Sequence, residues 1–154
     1  MSEVTRIVDQ MRSAWDGEAW HGPAVWTLLS DVSAREAEAR PIKGVHTIAE
    51  IVFHMAFCKE EARRRIGGER ILASDAESWP AQSIVGEAAW QETRALLQKR
   101  QQELEQTVAA LTDDRLDARV AGKNYNVYVL LHGIIQHDIY HAGQIALLKR
   151  AART

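Results

Sequence analysis

The chain has 154 residues, a formal charge of −2, and 46% hydrophobic and 26% charged residues. That balance excludes a disordered chain. With 19 Lys and Arg against 21 Asp and Glu, it also argues against a basic nucleic-acid binder. Cys58 is the only cysteine, so no disulfide framework can form within one chain, and a reduced, cytoplasmic setting is expected. The length predicts a single domain over residues 1–154. The longest apolar stretch, Val127 to Ile135, is broken by His132 and Gly133 and falls far short of the ~20 residues a membrane span needs. The N-terminal MSEVTRIVDQMR lacks an apolar h-region and does not read as a secretory signal.

In chain order, a first helix is predicted from about Glu3 to Ala14. Val4, Ile7, Val8, Met11 and Trp15 share one helical face, and Gly17 ends it. A second, short helix is expected from Pro23, a residue favoured at the first helical position, with Val25, Leu28, Leu29 and Val32 apolar. Residues 40–44 are a connection. Thr47 and Glu50 then form a capping box at the head of a helix whose stripe is Ile48, Ile51, Val52, Met55 and Ala62. Gly67 and Gly68 stop that helix. The run Lys59 to Arg65 reads as its solvated surface. Residues 69–83 show no period and are expected to be loop. A long helix is predicted over 86–111, with Trp90, Leu97, Leu104 and Leu111 at heptad spacing. A polar connection over 112–123 leads to a last helix over about 125–151. The expected fold is therefore all-α, a four-helix bundle with one additional short helix.

Six histidines carry the chemical signal: 21, 46, 54, 132, 137 and 141. His137 and His141 are four apart, so both rings lie on one face of the last helix. That face also carries Leu130, Ile134, Ile145 and Leu148, so the pair points inward. Burying two imidazoles without partners costs roughly 1–3 kcal/mol for each orphaned polar group, and a divalent metal removes that cost. His54, near the Ile51 and Met55 stripe, is a third candidate from a neighbouring helix. Three histidines with a fourth position open is the pattern of a catalytic metal site. The spacing alone also arises by chance among six histidines. The run HDIYH lacks the glutamate base of the zincin HExxH motif, which disfavours a zincin protease.

Three segments together resemble the DinB-like (DinB/YfiT) superfamily: HDIYHAGQIALLKR near the end of the chain, Trp20-His21-Gly22-Pro23, and His46 to His54. The resemblance extends over essentially the whole chain. It implies a four-helix bundle, often a homodimer, that binds nickel, zinc or iron through three histidines. Carried onto this sequence, that pattern falls on His54, His137 and His141. It also implies either a thiol-dependent S-transferase that uses a low-molecular-weight thiol such as bacillithiol or mycothiol, or a hydrolase. The substrate is a small molecule in either case, with no nucleic-acid or membrane partner expected. The absence of a carboxylate base beside the histidines mildly favours thiol activation. The alternative is a non-catalytic, stress-related dimeric bundle that binds metal.

Other residues are secondary candidates. His21 reads first as a turn residue and alternatively as a substrate contact near the metal. Gln101, on the seam, is a candidate for bonding a water on the metal, with a helix edge as the alternative. Gln144 is placed to orient a ligand. His46 is expected on a surface loop, and His132, about 140° around the helix from His137, should point elsewhere. Cys58 shares the face of His54 but is left out of the ligand set. For all five tryptophans, core or interface packing is put ahead of substrate binding. Free histidine titrates near ~6.5 and only the neutral ring binds metal, so metal is expected to be lost as the pH falls through about 6 to 5.

Overall fold

The computed structural model describes residues 1–154 and contains six α-helices. Four are long: α1 (Glu3–Trp15), α4 (Ile48–Ile66), α5 (Glu87–Ala109) and α6 (Val127–Ala152). Two are short, α2 (Val25–Leu29) and α3 (Ala34–Glu38). The expected all-α bundle is present, but with two short helices rather than one. No helix is long and apolar enough to cross a membrane.

The helix boundaries follow from local chemistry. The Thr47 hydroxyl accepts from the Glu50 amide at 3.1 Å, and the Glu50 carboxylate accepts from the Thr47 amide at 2.9 Å. The same reciprocal box occurs twice more, at Ser33 and Glu36 ahead of α3, and at Ser74 and Glu77 ahead of a 3₁₀ turn over Asp75–Ser78. The expectation of structureless loop over 69–83 is therefore corrected. Pro23 is not the first residue of α2: Ala24 is its N-cap and Val25 opens it. The helix expected from Tyr125 starts at Val127, because Asn126 caps it and the preceding residues pair with Ala118 and Val120 in a small bridge. The connection before it holds a second 3₁₀ turn, Asp113–Asp117. Both Asp113 carboxylate oxygens accept from the first amides of α1, at 3.0 Å each, which satisfies two donors that no helix can pair internally.

Burial divides into two apolar clusters. One gathers Ile51, Val52, Met55 and Ala56 of α4 with Leu97 of α5, Ala142 and Ile145 of α6, and the apolar side of α2. The other gathers most of α1 with Ala62 and Ile66 of α4, Leu104 and Val108 of α5, and Leu131 to Ile135 of α6. Each fully buried Leu, Ile or Val contributes about 1.5–3 kcal/mol by leaving water. Along each helix the break between the clusters falls at a buried polar residue: Lys59 on α4, Gln101 on α5 and Asp138 on α6. Lys59 is 0% exposed, and its ammonium lies 2.5 Å from the Asp138 carboxylate. The charged run containing Lys59 is thus not a solvated face throughout. Its first residue spans the core, and Arg65 is also buried, donating to Glu61 and to the Ile71 carbonyl.

The basic end of α6 is also engaged. Lys149 pairs with Asp31 and donates to the Leu28 carbonyl at 2.8 Å, and Arg153 pairs with Glu36. These contacts clamp α2 and α3 against the bundle.

Breaking a buried ion pair from one side strands the other charge. Lys59→Met is expected to lower the unfolding free energy by about 3–5 kcal/mol, and Lys59→Met with Asp138→Leu to recover most of that loss. Urea unfolding of the two variants measures it; equal stability of the single and double variants would contradict the pairing.

Candidate metal centre

The two helices joined by Lys59 and Asp138 also bring the histidines together. The capping box at Thr47 fixes where α4 begins and so fixes the phase of the residues that follow. His54, two turns on, faces α6. His137 and His141 meet it from one face of α6, a turn apart. Their ligand atoms all lie within 4.8 Å of one another. Nε2 of His137 is 3.1 Å from Nε2 of His54 and 3.1 Å from Nε2 of His141.

The tautomers follow from the outer partners. The Ser78 hydroxyl donates to the Asp75 carbonyl at 2.6 Å, which uses its only proton. Both Ser78 oxygens, the carbonyl at 3.2 Å and the hydroxyl at 3.1 Å, therefore accept from Nδ1 of His54. Nδ1 of His141 donates to the Gln144 side-chain oxygen at 2.6 Å. With both Nδ1 atoms protonated, the neutral rings of His54 and His141 turn Nε2 lone pairs toward Nε2 of His137. One N–H on His137 can satisfy only one of them. A shared cation satisfies all three. Nitrogens bound at ~2.0–2.1 Å to one ion, with angles between the octahedral and tetrahedral values, stand ~2.8–3.4 Å apart; the two separations from His137, 3.1 Å each, fall in that range, and all three ligand atoms lie within 4.8 Å of one another. The residues present therefore fit a divalent metal.

A family model for the DinB superfamily matches residues 19–145. The chain belongs to the DinB superfamily. No curated protein and no solved structure matches it.

Around the centre of this DinB-superfamily chain, the other candidate residues separate. Gln144 touches the centre through His141. Gln101 is 1% exposed with both amide atoms unpartnered, and it makes no hydrogen bond to any of the three rings. His21 is exposed and lines a different cavity, beside Pro23, Lys149 and Arg150. His132 packs on Tyr128, away from the cluster. Cys58 lies closer to the centre than its omission implied, with Sγ 3.7 Å from Nε2 of His54. Burial pushes its thiol up to about 12, so in the metal-free protein it is a protonated, inert group.

Sequence reasoning passed over Ser78, and for Trp79, near a loop where it could wall a pocket, it put packing ahead of substrate binding. The indole of Trp79 stacks on His54 at 4.0 Å between centroids and on His46 at 3.6 Å, both nearly parallel. Two rings at such distances cannot share one face, so Trp79 is sandwiched. His46 is therefore more than a loop residue on the surface. Trp15 and Trp90 are core, and Trp26 stacks on Trp15, whereas Trp20 is fully exposed and packs on nothing. The Ser74-to-Glu77 box was a legible signal for the turn that delivers Ser78 and Trp79.

Two cavities adjoin the cluster and share no lining residue. One, of about 400 Å³, is lined by Ile42, Val45, Ile51, Trp79, Leu147 and Leu148, and meets the cluster at His141. The other, also about 400 Å³, meets it at His137 and Cys58 and carries Glu61, Arg65 and Lys123.

Burial depresses the proton affinity of all three rings; repulsion from neighbouring histidines adds to it at His54 and His137, and His137 is brought down to about 3. Protons and a cation compete for the same nitrogens, so a metal held there would be expected to leave below the window of pH 6 to 5 expected for free histidine. For the metal-free protein the sign is equally definite. The unfolded chain binds protons at these histidines near 6.5, whereas the folded chain resists until much lower pH. The contribution of His137 to stability is therefore complete above pH 6.5 and lost progressively as the pH falls toward 3. Thermal unfolding of metal-free protein across this range is expected to show a steeper decline than in His137→Gln; parallel curves would contradict it.

Proposed function

We propose that the protein is a metal-dependent enzyme that activates a low-molecular-weight thiol for transfer to an electrophilic small molecule, with His54, His137 and His141 as ligands to nickel, zinc or iron. The observation that carries this reading is the convergence of the three Nε2 atoms, two of them forced to present lone pairs by Ser78 and Gln144. Three imidazole nitrogens suit zinc, iron and nickel. A divalent cation so held supplies a Lewis acid that lowers the pKa of a thiol or water reaching it.

The chain's own groups favour the thiol. Three neutral ligands leave the ion's charge to be met by an incoming anion. The hydrogen-bond partners of the rings are Ser78, Gln144, Cys58 and one another. No carboxylate stands among them to take a proton from water. Two separate cavities at His137 and His141 suit two reactants. Ser78 and Gln144 orient the rings, and Trp79 shields one face of His54 from solvent.

Elemental analysis after reconstitution is expected to find stoichiometric metal in the wild type and none in His137→Ala. Gln144→Leu should weaken metal affinity about 10–100-fold, as loss of a ligand's outer hydrogen bond does elsewhere. A panel of thiols and electrophiles is expected to show turnover in loaded protein that His54→Ala abolishes. Metal binding without turnover above that background would leave a non-catalytic metal-binding bundle; absence of metal from both wild type and His137→Ala would end the proposal.

A further inference from the structure

Among the cavities of this molecule, the one at His141 differs in charge. The cavity beside His21 is rimmed by Lys149, Arg150 and Arg153, and one near α3 by Arg35, Glu36 and Arg40. The polar cavity at His137 carries Glu61, Arg65 and Lys123. The cavity at His141 is lined by no Lys, Arg, Asp or Glu. Its polar groups are limited to His46, His141, Gln144, the Tyr140 hydroxyl and the Trp79 indole N–H, and Gln144 already has its oxygen committed to His141.

An ion pair stands beside the cavity. Arg40 pairs with Glu50, whose other oxygen faces Nδ1 of His46 at 3.2 Å. Arg40 also donates to the Val45 carbonyl at 3.2 Å. The same guanidinium thus ties the loop bearing Ile42 and Val45 to the start of α4 and holds this wall in place. The opposite wall is Leu147 and Leu148 of α6, and the edge of the sandwiched Trp79 closes one side. A preformed apolar cavity of about 400 Å³ with a few polar groups has the size and lining of a small-molecule site. A carboxylate or phosphate entering it would lose its hydration and find no cation among the side chains that line it. An uncharged molecule loses nothing comparable.

We propose that this cavity selects an uncharged, largely apolar small molecule and rejects anions of the same shape. The inference rests on the proposed function only in naming that occupant the electrophilic substrate; the selection itself is a property of the cavity and needs no metal. It also divides labour at the centre. Anionic groups on a thiol partner are excluded from the His141 side, and the polar cavity at His137 is the side that offers cations.

Benzamide and benzoate have nearly the same shape and differ in charge, so they separate the effect. The test uses metal-free protein at pH 8, where benzoate has no cation to ligate. The Trp79 indole N–H resonance, identified by its loss in Trp79→Phe, reports occupancy. Benzamide is expected to shift it saturably and benzoate to bind about tenfold more weakly or worse, the ratio that follows from stranding a charged group. Leu147 stands at the mouth, 64% exposed, so Leu147→Lys places a cation there without disturbing the core. It is expected to narrow the ratio by admitting benzoate. Equal binding of the two probes to the wild type, a Trp79 resonance that neither moves, or a ratio untouched by Leu147→Lys would each overturn the proposal. None of these results bears on metal content, so failure here and failure of the metal centre remain distinguishable.

Discussion

A lysine and an aspartate shut away from water hold the two histidine-bearing helices in register. Removing both charges from solvent is expensive, and a 2.5 Å contact regains that cost only in one alignment. Leucine and isoleucine seams tolerate adjustment along the helix axis. An ammonium facing a single carboxylate does not. The pair sits at the level where both apolar clusters stop, next to Cys58 on one helix and His137 on the other. A slide of α4 against α6 would therefore break it and move His54 away from its two counterparts at the same time.

Much of the architecture was legible because its cause is periodic. The 3.6-residue spacing located all four long helices to within a residue or two at most ends, and the box at Thr47 marked the start of α4. The four-residue separation of His137 and His141 placed both rings on one face for the same reason. Lys59 shows where such reading fails. In the sequence it opens a run of charges, and charge runs are usually solvated. Its partner lies 79 residues away on another helix, and no local pattern announces it. The short helix α3 and the 3₁₀ turn before Trp79 fail differently. Ser33 with Glu36, and Ser74 with Glu77, repeat the signature found at Thr47 with Glu50. They are not followed by a long apolar stripe, so the same signal carried no weight without it.

The centre itself is built by satisfying some groups and leaving others free. Ser78 and Gln144 take the outer protons of two rings, which dictates what the inner nitrogens present. The third ring, on His137, has no partner at Nδ1, and burial together with its neighbouring histidines lowers its proton affinity strongly. Low proton affinity and poor internal pairing both belong to a cluster organised around something other than hydrogen.

The tautomer of His54 is set from outside its own helix. The residue that sets it, Ser78, ends a four-residue turn held by an exposed Ser–Glu box. Surface loops drift readily among relatives. In this molecule such drift is wired to a half-buried imidazole: lengthening or shortening the loop would re-aim a donor nitrogen, and shift Trp79 with it, without altering any residue of the helices. Divergence of chemistry within one helical scaffold then requires no change to the scaffold at all.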